Sequence, residues 1–149
     1  MTHGIRLASL AALSILVLGA GCKKAEAPPP PAAQEPAPPP PVSVTGLDLG
    51  KAIGPDKRVT APTTEFGVRD TIYASVATNG VSTGSTLTAK WTFGDGQLVD
   101  SIAAPIAPTG PAVTEFHIMR GSPWPVGKYK VAILLDGDQK SEREFEVKR

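Results

Sequence analysis

Apolar and polar residues alternate along most of the sequence after residue 70, and this alternation constrains the fold more than any other feature. Within residues 70–78, for example, Ile72, Ala74 and Val76 alternate with Thr, Tyr and Ser. A period of two places every second side chain on the same face of a strand, whereas an amphipathic helix repeats about every 3.6 residues. No helical period of useful length is present in the sequence. The pattern therefore predicts strands, each with one face in a core.

Turn-forming residues separate the alternating segments. Asn79-Gly80, the triplet at 94–96 and Asp136-Gly137 are typical of tight turns, in which glycine adopts a positive φ at little cost. The predicted strands cover residues 45–49, 70–78, 85–93, 97–102, 113–118, 128–135 and 142–148. Seven short strands at this spacing predict an all-β protein with a β-sandwich fold.

The alternation also predicts which side chains form the core and which face water. Trp91 lies near the middle of the strand series, where a sandwich core places a large side chain. The last strand carries Glu142, Glu144 and Glu146 on its other face, and charges there are expected to prevent edge-to-edge pairing with a second molecule. The predicted core residues are Ile72, Val76, Leu87, Ala89, Trp91, Phe93, Phe116, Ile118, Tyr129, Val131, Ile133, Phe145 and Val147.

Residues 1–21 have the composition of an export signal peptide. Arg6 and the amino terminus supply positive charge, residues 7–18 form a run of twelve mostly apolar residues, and small residues follow. Twelve residues are fewer than the roughly 20 that a membrane-spanning helix needs. Cys22, the only cysteine, comes directly after the small residues and cannot form an internal disulfide. The segment therefore predicts export.

The stretch Leu18-Gly19-Ala20-Gly21-Cys22 resembles the lipobox of bacterial lipoproteins. The resemblance implies that the signal peptide is cut before Cys22, that a diacylglycerol is attached to its thiol, and that the new amino terminus is acylated. Gly19 stands where the family usually has leucine. The alternatives are a signal cut elsewhere, which leaves Cys22 incidental, and a short anchor that stays uncut. Each buried CH₂ contributes about 0.8 kcal/mol, so two or three lipid chains hold a protein firmly at a membrane.

Residues 22–42 are expected to form a lipidated, proline-rich and disordered tether. Nine of the eighteen residues at 25–42 are proline, which lacks the amide donor that helices and sheets require. Such a run favours the extended polyproline II form, at about 3.1 Å per residue, and makes a semi-rigid spacer. A docking site for a proline-binding domain is the alternative. Lys23 and Lys24 lie beside the lipid, where they can contact anionic headgroups.

Residues 43–149 have the length of one ordinary domain. They contain twelve Lys and Arg residues and twelve Asp and Glu residues, with no block of one sign. Binding to nucleic acid requires a basic face, so this charge balance argues against a nucleic-acid partner.

Two further resemblances concern this domain. Trp91-Thr92-Phe93-Gly94-Asp95-Gly96, followed by Gly127-Lys128-Tyr129-Lys130-Val131, resembles the signature of PKD domains, although Thr92 stands where that family usually has aspartate. Four segments within residues 66–147, including Trp124-Pro125-Val126-Gly127-Lys128-Tyr129, are similar to the carboxy-terminal immunoglobulin-like domain of poorly characterised proteobacterial lipoproteins. Both resemblances imply an immunoglobulin-like β-sandwich outside the cytoplasm, and the second implies no activity. Fold alone does not determine function.

No residue pattern in the sequence indicates catalysis or a metal. His117, the only histidine after the signal, has no partner base, nucleophile or second ligand in the pattern and is predicted to be a solvated strand residue. Asp95, Asp136 and Asp138 lie in glycine-flanked turns, where they could hold Ca²⁺ only if the two loops lie together. The sequence therefore predicts no catalytic residue, no metal site and no cofactor except the covalent lipid on Cys22.

Residues 119–126 form a long connection between two predicted strands and are the predicted surface for partner binding. Arg120 and Trp124 lie in this loop, and both residue types are enriched at binding hot spots. Its prolines reduce the entropy that the loop loses on binding. Trp124 itself is expected to fold down over the core as a lid, because an exposed indole is costly when unused, and direct contact with a partner is the alternative. Tyr129, near the start of the following strand, is expected to bond its hydroxyl to nearby backbone, as in other sandwiches.

Together these features predict a non-catalytic, membrane-tethered lipoprotein of the cell envelope that presents an immunoglobulin-like module for binding or assembly. The expected partners are the membrane, through the lipid anchor, and an envelope protein or glycan. The expected location is the periplasmic face of the outer membrane or the cell surface, because Lys23 stands where aspartate favours inner-membrane retention in related lipoproteins. The alternatives are a passive structural lipoprotein, a carbohydrate-binding PKD-like module and an accessory domain of an enzyme.

Overall fold

The computed structural model describes residues 37–149. The predictions for the signal peptide, for Cys22 and for the linker up to residue 36 lie outside the described residues. Among residues 37–149, no helix has the length and apolar character that crossing a membrane requires. The elements of this part of the chain are β1 (Ser43–Gly50), β2 (Glu65–Gly67), β3 (Ile72–Asn79), β4 (Ser85–Phe93), β5 (Gln97–Ile106), β6 (Ala112–Ile118), β7 (Gly127–Leu135) and β8 (Asp138–Lys148).

The eight strands form two sheets that pack around one core. One sheet has three strands in the order β1-β3-β6, and the other has five in the order β2-β8-β7-β4-β5. Neighbouring strands are antiparallel except for β2 and β8, which are parallel. The first, third and sixth strands share one sheet while the fourth lies beside the seventh in the other, and this is the strand order of an immunoglobulin-like β-sandwich.

Two residues occupy positions that mark immunoglobulin-like sandwiches. Trp91 lies fully buried in β4, the counterpart of strand C, and packs edge-to-face on Phe145 with 5.9 Å between ring centroids. Its indole Nε1 has no hydrogen-bond partner among residues 37–149, so packing alone holds the ring. Tyr129, near the start of β7, donates its hydroxyl to the carbonyl oxygen of Pro125 at 2.8 Å, as the tyrosine corner of such domains does. The predicted all-β, immunoglobulin-like sandwich is therefore confirmed.

The predicted core residues are buried, with Phe93 as the exception. Phe93 is half-buried because β4 ends there and the ring lines an open cleft. Phe66 was missed because β2 has only three residues, too few to show an alternating pattern. Its ring packs edge-to-face on Phe145, with 5.4 Å between centroids. The members of the buried hydrophobic cluster that are absent from the predicted core are Leu47, Leu49, Phe66, Ala74, Trp124 and Leu135.

The short strand β2 also changes which strand edge is exposed. It pairs with the last three residues of β8, where Lys148 forms ion pairs with Glu65 and Glu146. The prediction that the charges of the last strand protect a free edge is therefore wrong at this end, because β2 is the outer strand there. Farther back along β8 the glutamates do face water, and Glu142 pairs with Lys130 of β7 at 3.3 Å.

The chain joins the sandwich before β1 begins. Pro41 forms a parallel bridge with Val81, and the amide of Val81 donates to the carbonyl oxygen of Pro40 at 3.0 Å. Gly80 makes this approach possible: its φ is +113°, and a Cβ there would overlap the carbonyl oxygen of Pro41 and lie 2.8 Å from the Cα of Val42. The folded unit thus includes the end of the proline-rich segment, a few residues before the predicted boundary at residue 43.

Candidate functional site

The sandwich has two ends, and the candidate loop lies at one of them. We call the end where Pro41 meets Val81 and β1 begins the linker end. At the opposite end, the far end, β4 finishes and β7 begins, with Phe93 opposite Tyr129. Strand β6 also finishes at the far end, because its last residue lies opposite the first residue of β3. Residues 119–126 connect β6 to β7 and therefore lie at the far end.

Trp124 fastens this loop to the sandwich. Its side chain is only 3% exposed, and its Nε1–H donates to the carbonyl oxygen of Asp70 at 2.9 Å. Its backbone amide donates to the carbonyl oxygen of Val68 at 2.7 Å. The indole also meets the Tyr129 ring edge-to-face, with 6.1 Å between centroids. The structure therefore gives Trp124 the expected lid position and not direct contact with a partner.

Asp70 ends the turn at residues 67–70, and its own carbonyl oxygen is the one that accepts the indole N–H of Trp124. Its carboxylate accepts a hydrogen bond from the backbone amide of Gly67 at 2.7 Å and forms an ion pair with Lys51 at 2.8 Å. The hydrogen bond from Lys51, followed by that from Gly67, lowers the pKa of Asp70 below its ordinary value. The carboxylate is therefore charged at neutral pH and holds in place the carbonyl group that receives the indole N–H.

Tyr129 fixes the loop at a second point. Its hydroxyl is bonded to Pro125, as described above, and burial raises the pKa of that hydroxyl above its ordinary value, against an opposing effect of the nearby Arg120 charge. Gly127 lies between Pro125 and Tyr129 in the sequence and has a φ of +148°. A Cβ there would come 3.0 Å from the ring of Phe93. The end of the loop is thus fixed against the sandwich, whereas the residues that precede Trp124 are exposed.

Arg120 is the exposed charged residue of the loop. Its guanidinium carbon lies 5.4 Å from the centre of the Trp124 ring, a distance at which a cation and an indole attract each other. Within the described part of the chain it forms no ion pair. A stacked guanidinium keeps the N–H groups in its plane free to bind an acceptor. The structure thus brings the two predicted site residues together, with Trp124 as the support and Arg120 as the exposed group.

A cleft opens beside Arg120, between the loop and β5. It encloses about 370 Å³, within the range of small-ligand pockets. Phe93 lines its aromatic wall, and Leu98 and Met119 also line the cleft while remaining 56% and 69% exposed. Exposed apolar side chains that group around a cavity indicate a binding site more strongly than scattered ones do. We refer to this feature as the far-end cleft.

The free edge of β5, next to the cleft, is protected against pairing with another strand. The backbone amide of Ser101 donates to Oδ1 of Asp100 at 2.7 Å, so this amide points away from β4 and is capped by the neighbouring side chain. Pro105, which has no amide, occupies an equivalent outward position four residues later. An extra residue at Val99 shifts the register and bends the strand. These three features prevent edge pairing, so a partner is expected to use the cleft instead.

The remaining candidate residues do not form a site. His117 is exposed on β6 with its Nδ1 2.7 Å from Oε1 of Glu115, as expected for a solvated strand residue. Asp95 lies in the turn after β4 at the far end, whereas Asp136 and Asp138 lie at the linker end, so the two loops are separated by the length of the sandwich. Over residues 37–149, no group of three or more His, Cys, Asp or Glu side chains is placed to hold a metal ion.

Sequence reasoning missed three of the cleft residues, namely Phe93, Leu98 and Asp100. The register shift at Val99 interrupts the alternation at the start of β5, so Leu98 and Asp100 showed no face preference, whereas Phe93 was assigned to the core by the alternation of β4. The order of the predicted strands nevertheless indicated that the start of β5 lies at the same end of the sandwich as the loop. Two strands separate the turn at 94–96 from the loop at 119–126, and in an antiparallel up-and-down path two crossings return the chain to the same end.

Known structures share the fold of this chain, although no protein-family model matches the sequence and no curated protein matches it either. An alkylpurine DNA glycosylase from Pseudomonas fluorescens, bound to DNA containing an abasic site analogue, is 12% identical with a TM-score of 0.50. The match covers 72% of this chain and 30% of the glycosylase, so this chain spans less than a third of that enzyme. A likeness at such identity concerns the fold alone.

Two further structures show similar coverage of this chain. An immunoglobulin-like protein from Pseudomonas aeruginosa is 15% identical with a TM-score of 0.48, over 72% of this chain and 96% of that one. A β-glucosidase from Listeria innocua in complex with gluconolactone is 8% identical with a TM-score of 0.47, over 72% of this chain and 16% of the enzyme.

Proposed function

We propose that this protein is a lipid-anchored lipoprotein of the cell envelope whose immunoglobulin-like domain binds a partner through the far-end cleft, without catalysing a reaction. The observation that carries the proposal is the position of the cleft, which opens at the end of the sandwich opposite to Pro41, where the chain joins the domain. A tether at one end and a cleft with exposed charged and apolar side chains at the other suit a module that is held at a surface and reaches outward.

The dimensions of the chain support this arrangement. In the polyproline II form, the fifteen residues at 25–39 would span roughly 45 Å at about 3.1 Å per residue. A strand of nine residues such as β4 adds roughly 30 Å at about 3.3 Å per residue. A lipid on Cys22 would therefore allow the cleft to meet partners well beyond the headgroups. Lys23 after the lipidated cysteine favours the periplasmic face of the outer membrane or the cell surface.

The chemistry of the cleft favours a binding role over a passive structural one. An exposed guanidinium without an ion-pair partner in the described part of the chain, beside two exposed apolar side chains, has no evident use in holding the domain together. A polypeptide ligand fits better than a glycan, because sugars pack on exposed aromatic faces and Arg120 covers a face of Trp124. The absence of catalysis is supported by the cleft's titratable groups, Arg120, Asp100 and Tyr129, which do not include a nucleophile beside a base.

Site-specific photocrosslinking of the full-length protein in whole cells tests the proposal. A photoreactive amino acid at Met119 should form an adduct with a partner, and the adduct should disappear in Arg120→Glu while the amount of lipoprotein stays the same. The matched control places the same photoreactive group at Lys140, an exposed residue of β8 near the linker end. Equal adducts from both positions, or none from Met119, would show that the far-end cleft is not the contact surface.

A further inference from the structure

The far-end cleft contains two charges of opposite sign that come from different elements. Arg120 belongs to the loop after β6, Asp100 belongs to β5, and the other residues that line the cleft are uncharged. Neither residue forms an ion pair with the other, or with any other residue between 37 and 149. The cleft therefore holds one positive and one negative group apart, each without a counter-charge.

Both charged groups have bonding capacity left for a ligand. Oδ1 of Asp100 accepts from the Ser101 amide at 2.7 Å, whereas Oδ2 accepts no hydrogen bond from the described residues. The Arg120 guanidinium stacks 5.4 Å from the centre of the Trp124 ring, and its in-plane N–H groups form a fork that matches the two oxygens of a carboxylate. The cleft thus offers one position for an ammonium group and one for a carboxylate.

The cleft also contains apolar side chains. Phe93 and Val99 line it from β4 and β5, and the exposed side chains of Leu98 and Met119 lie beside them. An apolar side chain placed here would remove both exposed residues from water, and this burial is favourable. A volume of about 370 Å³ suits a ligand of a few residues rather than a folded segment.

The geometry points to a short peptide with both termini free as the ligand of the far-end cleft. Its carboxylate binds Arg120, its terminal ammonium binds Asp100, and an apolar side chain packs against Phe93. The inference rests on the proposed function, because it names the ligand class of the same site. A phosphate or other simple anion fits less well because Asp100 repels it, and a neutral sugar leaves both charges unpaired. An added strand is disfavoured by the protected edge of β5.

Binding of a defined tripeptide to the detergent-solubilised full-length protein tests the inference. The probe is Ala-Leu-Ala in four versions: free at both ends, N-acetylated, C-amidated, and blocked at both ends. Dissociation constants are measured by saturation-transfer NMR titration, which suits weak ligands. Each blocked end should weaken binding about tenfold, because each removes one charge-assisted hydrogen-bond pair. Equal binding of all four versions, or no binding of the free peptide, overturns the inference.

Two variants assign each terminus to its residue. In Arg120→Gln the free-acid and C-amidated peptides should bind equally, while the N-acetylated version stays about tenfold weaker than the free amine. In Asp100→Asn the free-amine and N-acetylated peptides should bind equally, while the C-amidated version stays about tenfold weaker than the free acid. The control variant Lys140→Gln on β8 should leave all four dissociation constants unchanged. If Arg120→Gln still distinguishes the free-acid peptide from the C-amidated one, and Asp100→Asn still distinguishes the free amine from the N-acetylated form, the assignment of each terminus to its residue is wrong. If no version of the peptide binds but the Met119 crosslink still depends on Arg120, the proposed function stands and this inference fails.

Discussion

Replacing Trp124 by alanine tests whether this side chain holds the far end of the domain together. The indole is 3% exposed, meets the ring of Tyr129 and donates a hydrogen bond to the carbonyl oxygen of Asp70. Truncating a buried tryptophan costs about 3–5 kcal/mol, because the lost contacts leave a cavity. Domains of this size have a total stability of about 5–15 kcal/mol, so the loss is a large fraction of it. We expect Trp124→Ala to lower the free energy of unfolding by about 3–5 kcal/mol.

Urea unfolding of residues 37–149, followed by far-ultraviolet circular dichroism, measures this change. The same loss should lower the Tm by roughly 12–20 °C, at about 4 °C per kcal/mol for a domain of this length. Trp124→Phe keeps an aromatic ring but removes the N–H donor to Asp70, so its cost should be smaller and should include about 1–3 kcal/mol for the buried carbonyl oxygen left without that donor.

Arg120→Ala is the matched control at the same place. It removes an exposed side chain whose attraction to the Trp124 ring is worth about 0.5–1 kcal/mol, so stability should change little. If the free energy of unfolding of Trp124→Ala is no lower than that of Arg120→Ala, the reasoning is refuted, because the buried indole would then not stabilise the domain.

Three further changes have defined outcomes. Cys22→Ala should abolish labelling with radioactive fatty acid and move the full-length protein from the membrane to the soluble fraction, whereas labelling that persists contradicts lipidation there. Gly80→Ala places a methyl group against the carbonyl oxygen of Pro41 at a φ of +113°, so it should cost about 1–3 kcal/mol and make the backbone amide of Val81, which donates to Pro40, exchange faster in hydrogen-exchange mass spectrometry. The pKa of Asp70 is lowered by Lys51, so the charged carboxylate stabilises the fold above its ordinary pKa, and this stabilisation is lost as the pH falls through the lower folded-state pKa. Asp70→Asn should therefore flatten the acid limb of a curve of stability against pH, and an unchanged limb contradicts this.

The strands and most of the core could be predicted because they depend on local pattern. Trp91, Val131 and Ile133 sit at alternating positions in long strands, and each side chain is buried where the period of two places it. Tyr129 was also predicted correctly, because its partner Pro125 lies only four residues away. Phe66 was missed because its strand gains stability from pairing with β8, about eighty residues later in the chain, and not from any local pattern.

The candidate site could be predicted only in part. The loop was recognised by its length and by Arg120 and Trp124, yet its composition fits a lid and a binding surface equally well. The choice between these depended on the carbonyl oxygen of Asp70, 54 residues away in the sequence, which accepts the indole N–H. Asp100 had no distinguishing feature in the sequence, because its importance comes only from sharing a cleft with Arg120.

By itself, the sequence determined the period of the strands, the places where they turn and the balance of charge, because each depends on the side chains of neighbouring residues. It also carries the export signal and the cysteine that follows it, which are linear motifs. Only the tertiary structure decided that Trp124 is buried, that Arg120 stands free above it and that Asp100 lies in the same cleft. These outcomes require the two sheets to pack and the far-end loops to meet, and contacts between distant parts of a chain leave no periodic trace in the order of its residues.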